Sequence, residues 1–341
     1  MDKKQRRRLF LQIPFLLFLV IATVIIIRQQ RNTAYQHNSG KVFGTTYSVT
    51  YQYDRDLETD ILAELQRVDD ALSMFNEGSI ISRVNRNDAV EVDDLFTDVF
   101  RRAQEVSAET DGAFDITVAP LVNLWGFGFK NNTPPSQHAI DSIRKFVGYK
   151  GVSLEGKRVK KAHPETMLDC SAIAKGYGSD RVARLLRQKG VENFMVEIGG
   201  EIVTHGINEK RLPWKIGVTK PSDDSLSVNE ELQTVLNVTD VAMATSGNYR
   251  RFYYKDGKKF AHTIDPKTGR PVQHSLLSAT VLAKDCATAD AFATSFMVMG
   301  IDKAKALLDK HGELMAYFIY TDKQGNYAVW YSPSMKDKVQ E

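Results

Sequence analysis

A chain of 341 residues with 45 Lys and Arg against 42 Asp and Glu can bury a full core without staples, and two cysteines are too few for a disulfide framework. Residues 1–31 hold seven Lys or Arg and one Asp, so the net +3 splits into +6 there and −3 over the remaining 310 residues. The body therefore lacks the cationic excess of a nucleic-acid binder, and GKRVKK at 156–161 is its one short basic run.

The chain opens with MDKKQRRR and an apolar stretch from Leu9 to Ile27, interrupted by Gln12, Pro14 and Thr23 and closed by Arg28 and Arg31. About 20 apolar residues span a bilayer, so this stretch predicts an N-terminal transmembrane helix over 9–27. The basic flank would stay in the cytoplasm and send the rest outward. A cleavable signal peptide is the rival reading, but no A-x-A-like site stands near Ile27. The expected organisation is an anchor at 1–31, a polar spacer NTAYQHNSG at 32–40 and a folded body at 41–341.

Alternation of Val42, Thr45, Tyr47, Val49 and Tyr51 predicts a strand. Helical spacing of Ile61, Leu62, Leu65, Val68 and Leu72 predicts a helix from Leu57 to Phe75, and a second is expected from Asp93 to Thr110. The segment SAIAKGYGSDRVARLLRQKG predicts a helix that follows the strand-like MLDC and stops at Gly190. Short strands follow: NFMVEI and EIVTHG around Gly199 and Gly200, then NYRRFYY and KKFAHTI around KDG, with DPKTGRP as a further turn. There is no internal repeat and no long linker beyond residue 40. The pattern predicts a single compact α+β domain with mixed or antiparallel sheets and flanking helices, not a regular βαβ array.

Three stretches carry candidate chemistry. In CATADAFATSFMVMG, Asp290 and Thr294 stand four residues apart, so a helix would present a carboxylate and a hydroxyl on one face. Hard cations such as Mg²⁺ favour such oxygen donors, although a Thr bonded to a backbone carbonyl is an ordinary alternative. In LDCSAIAKGYGSDRVARLL, the start of a helix beside Ser171, Lys175 and Tyr177 would offer N–H groups to an anion, while an ordinary strand-to-helix connection explains the same residues. The stretch 244–272 places His262, Asp265 and Arg270 near a turn, where a lone His is more often a structural hydrogen-bonder than a base. Upstream, TDGAFDITVAPLVNLWGFG combines Asp111 and Asp115 with aromatics and glycines, as a packed loop also would.

Taken in order, GTTYSV, SMFNEGSIISRVN, DGAFDITVAPLVNLWGFG, LDCSAIAKGYGSD, VEIGGEI, TSGNYRRFY, HTIDPKTGRPV and ATADAFATSFMVMG resemble the ApbE family of FAD:protein FMN transferases. The resemblance covers nearly the whole chain from Lys41 onward. It implies an Mg²⁺-dependent enzyme that splits FAD at its pyrophosphate, joins FMN through a phosphoester to a Thr or Ser hydroxyl of a partner flavoprotein, and releases AMP. It further implies a metal held by Asp290, Thr294 and a backbone oxygen near Ala172, with FAD touching Phe43, Met74, Phe75, Asn76, Asp111, Lys175 and Ile264. Phe43 stands where the family usually has Met, and Cys170 where an aliphatic residue is more usual. His262 is the leading candidate to take the acceptor's proton, and Asp265 is the alternative. The implied acceptor is a subunit of a membrane redox complex. The implied location is a single pass through the bacterial inner membrane, with the catalytic body on the periplasmic side. Two other readings stay open: a metal-dependent FAD pyrophosphatase giving FMN and AMP, and a flavin-binding electron carrier or storage protein.

Overall fold

The computed structural model describes residues 3–127, 134–221, 231–248, 252–255 and 258–340, with the backbone alone at 3–11, 29–32, 252–255 and 258–260. Eight strands form its main sheet: β1 (Tyr35–Val42), β2 (Thr45–Gln52), β3 (Phe194–Ile198), β4 (Glu201–His205), β5 (Ala242–Gly247), β6 (Leu276–Ala283), β7 (Met315–Thr321) and β8 (Tyr327–Tyr331). Their order across the sheet is their order in the chain, and every neighbouring pair is antiparallel. The N-terminal helix is α1 (Lys3–Asn32), and the helices around the site are α2 (Glu58–Leu72), α3 (Asp94–Glu109), α4 (Ala174–Gln188) and α5 (Cys286–Met299).

Side-chain alternation divides the strands between two cores. In β7, Ala316 and Phe318 join the helix-side core with Phe292 and Phe296, whereas Tyr317 and Ile319 face the opposite layer. That layer is a three-stranded sheet of Trp214–Thr219, Leu232–Val238 and Val339–Gln340, which contributes Trp214, Ile216, Val218, Leu236 and Val238. The result is helices, large sheet and small sheet stacked in three layers.

The helices begin and face inward as their sequences dictate. Asp93 caps α3 by accepting from the Phe96 N–H, and Asp285 caps α5 by accepting from the Thr288 N–H at 2.9 Å. α2 buries Ile61, Leu65, Val68 and Leu72 on one stripe. α5 is different, for Ala287, Ala289, Ala291, Phe292, Ala293 and Phe296 are buried around much of its girth. It lies among α3, α4, β5 and β6, and its alanines let these elements approach closely.

The N-terminal expectation is corrected. The helix forms as α1, but Pro14 lies inside it, Gln12 and Thr23 interrupt its apolar side chains, and its ends are basic and polar. Among the described residues no helix is long and apolar enough to cross a membrane. The transmembrane helix, the single pass through an inner membrane and the periplasmic placement that rested on it therefore lose their support. β1 begins at Tyr35, inside the stretch read as a spacer. The expected hairpin is present as Phe252–Lys255 paired with Lys258–Ala261, while Tyr249–Arg251, Asp256, Gly257 and Gly128 lie outside the described residues.

Candidate active site

The site is built where the start of α4 crosses the start of α5. A Cβ on Gly176 would lie 2.3 Å from the Cys286 carbonyl oxygen and 2.9 Å from the Asp290 Cβ, so only glycine permits this crossing. The Gly176 N–H donates to Asp290 Oδ2 at 3.1 Å, and the N-cap Ile173 supplies no side-chain cap of its own. The positive end of α4 thus faces a carboxylate carried by another helix. On the far side of the crossing, Asp180 of α4 accepts from the N–H groups of Cys286 and Ala287 at 2.8 and 2.9 Å. Each helix therefore satisfies amides of the other.

Lys175 lies between two buried acids, its Nζ 3.0 Å from Glu201 Oε1 and 3.9 Å from Asp290 Oδ2. Strand parity explains Glu201: Ile202 faces the small sheet and Val203 faces the helices, so Glu201 shares the helix-side face. The same parity in β5 turns Ser246 toward α5, where its hydroxyl is 3.1 Å from that of Thr294. Asp290 and Thr294 thus occupy one face of α5, as their spacing predicts. Phe43 sits in the β1–β2 turn at φ +50°, and its ring fills the space that a Cβ on Gly178 of α4 would take. A bulky residue held in the left-handed region beside a charged cluster is strained backbone of a kind that gathers at functional sites.

Two carboxyl groups face one ammonium in a buried place, where burial opposes ionising both of them together. Burial raises the Asp290 carboxyl above its ordinary value, opposed by Lys175 and by the Gly176 N–H. Burial also raises Glu201, with Lys175 opposing and Asp290 adding to the rise. Burial pulls the Lys175 ammonium down, but the charges of Asp290 and Glu201 outweigh it and hold the group above the usual lysine range. Glu201 Oε2 is buried and makes no hydrogen bond among the described residues. An acid-rich pocket with an unspent oxygen fits a cation. Among the described residues no cluster of three or more His, Cys, Asp or Glu converges on a metal position. Asp290 and Thr294 lie one helical turn apart on α5, and Ala172 stands two residues before α4.

A second group forms around the Ile264–Pro271 turn. Trp125 Nε1 donates to the Gly269 carbonyl at 2.7 Å, and Ile264 packs with Leu121, Trp125 and Ile140. Asp111, at φ +51°, pairs with Lys267 across the gap between these two motifs. That contact holds the Asp111 carboxyl below the usual range. Asp265 spends Oδ1 on the Lys267 N–H at 2.8 Å, which fixes its own turn. His262 is partly buried one residue past the Lys258–Ala261 strand. Asp115 is structural: its carboxylate accepts from Thr117 and from the Tyr149 N–H. The third group is the loop after α2, where Met74 packs on the core, Phe75 is 74% exposed, and Asn76 bridges Asp69 and the Gly78 N–H.

Known proteins share this arrangement of chain. The ApbE family pattern matches residues 43–318. The chain belongs to the ApbE family. An FAD:protein FMN transferase from Vibrio cholerae is 38% identical over 314 residues, covering 89% of this chain and 93% of that protein. One from Escherichia coli is 34% identical over 311 residues, covering 87% of each. The solved flavin transferase ApbE from Vibrio cholerae superposes with a TM-score of 0.81 at 36% identity, spanning 89% of this chain and 99% of that one.

Within this ApbE family member, sequence reasoning missed Glu201, Gly176 and Asp180. Glu201 follows the double glycine of VEIGGEI, and the turn with φ +63° at Gly199 and +101° at Gly200 sets the register that turns it inward. Alternation along EIVTH was the available signal for its face. Nothing in the sequence pairs Gly176 with Cys286, or Asp180 with the start of α5.

Proposed function

We propose that this chain transfers FMN from FAD to an acceptor protein, with the convergence of Lys175, Glu201 and Asp290 between two helix starts, in a member of the ApbE family, as the observation that carries the reading. The acceptor's Thr or Ser oxygen attacks the phosphorus of the FMN half, the bond to the bridging pyrophosphate oxygen breaks, and AMP departs with that oxygen. His262 takes the hydroxyl proton, with Asp265 as the alternative. Asp290, Thr294 and the Ala172 carbonyl hold a divalent cation, Mg²⁺. When bound it would neutralise charge on the phosphate oxygens as it spreads during transfer. Lys175 adds a fixed positive charge at the same place. Phe43, Met74, Phe75, Asn76, Asp111 and Ile264 hold the rest of FAD, Phe75 offering an exposed aromatic face.

The test mixes the protein, FAD and Mg²⁺ with a candidate acceptor and weighs the acceptor by mass spectrometry. A gain of one FMN, lost with chelator and in Asp290→Ala, is expected. No gain on any Thr- or Ser-bearing acceptor, together with free FMN released in its absence, would replace transfer by hydrolysis.

A further inference from the structure

We infer that Glu201 is a positioning residue: it draws the Lys175 ammonium away from Asp290 and so keeps that carboxylate available to a divalent cation. The inference rests on the cation reading above and concerns a residue outside that ligand set. Lys175 has two acids within reach and sits 0.9 Å nearer to one of them, at 3.0 Å from Glu201 and 3.9 Å from Asp290. Its stem passes Gly199, where a Cβ would lie 3.4 Å from Lys175 Cδ and 2.8 Å from Thr45 Cγ2, so the glycine leaves room for it. What remains to be decided is where the head group goes. Asp290 Oδ2 already accepts from the Gly176 N–H, whereas Glu201 meets the ammonium with Oε1 and has its buried Oε2 unspent among the described residues. The Glu201 carbonyl is itself tied to α4 by the Ser179 hydroxyl at 2.9 Å, so strand and helix hold the pair in register.

Without the Glu201 charge, the nearest anion for Lys175 is Asp290. An ammonium pulled into direct contact there competes with any cation for the same oxygen, and the competition strengthens steeply as the charges close up. The double variant removes the competitor along with its counter-ion, and therefore separates positioning from simple loss of structure.

Mg²⁺ and Mn²⁺ binding to the full chain is measured by titration calorimetry and by the cation-dependent rise in melting temperature. Glu201→Gln is expected to bind about tenfold more weakly. Lys175→Met/Glu201→Gln is expected to return to within about threefold of wild type. Glu201→Asp keeps the charge but is one methylene short, and serves if Glu201→Gln fails to fold, with a loss in the same direction. Wild-type affinity in Glu201→Gln, or a double variant as weak as that single one, overturns the inference. Absence of cation binding in the wild type, or binding unaffected by Asp290→Asn, overturns the cation reading instead and the inference with it.

Discussion

Gly176→Ala tests the helix crossing on which the site depends. Its added methyl would stand 2.3 Å from the Cys286 carbonyl oxygen and 2.7 Å from its carbon, both backbone atoms that cannot rotate aside. Reaching an ordinary contact near 3.4 Å requires the two helices to separate by about 1 Å. Overpacking of this kind costs about 1–3 kcal/mol, toward the upper end where backbone meets backbone. Alanine recovers up to about 1 kcal/mol through its better helix propensity. The net loss is about 2 kcal/mol, and the melting temperature should fall by about 3 °C for a chain of this size. The same displacement pulls the Gly176 N–H from Asp290, so FMN transfer at limiting Mg²⁺ should fall further than transfer at saturating Mg²⁺. Gly312→Ala, where nothing lies within 4 Å of the added methyl, is the matched control and should change neither quantity. A Gly176→Ala protein that melts and transfers like wild type would refute the close crossing.

Other expected outcomes follow from the same geometry. Chelation should lower the melting temperature of wild type but leave Asp290→Ala unmoved, read by scanning fluorimetry. Phe43→Gly relieves a left-handed residue yet empties the space over Gly178, so stability should stay near wild type while the KM for FAD rises in steady-state kinetics. Asp111→Asn, on an exposed carboxylate, should leave the melting temperature unchanged and raise the KM for FAD. Burial pushes Asp180 up to about 7, against the two amide donors that lower it. The folded-state value lies above the unfolded one, so its stabilising contribution is complete below about 4 and is lost as pH rises through 7. Asp180→Asn, which does not titrate, should flatten the denaturation midpoint across that window.

Much of the fold is legible because local rules suffice for it. The stripe Ile61, Leu65, Val68, Leu72 specifies α2, Asp93 starts α3, and Asp290 with Thr294 shares a face through helix period alone. The turn at Gly199 and Gly200 needs positive φ at both positions, which the residue types announce. Contacts between distant elements are not legible in that way. That Lys175 meets Glu201 depends on strand parity and on the depth of α4 over the sheet, and that Gly176 is required depends on a carbonyl 110 residues away. The N-terminal run misled in another way: it forms a helix, α1, as its composition predicts, yet no helix among the described residues is long and apolar enough to cross a membrane.

The sheet whose spatial order follows chain order also dictates how the molecule must assemble. β1 with β2, and β3 with β4, are joined by two-residue turns and can zip locally. The seam between β2 and β3 closes only when residues 53–193 have been gathered into a loop whose ends meet at Tyr51 and Phe194. Non-local closures of that length slow folding, so the seam between β2 and β3 is the contact of this half of the sheet that costs most to close.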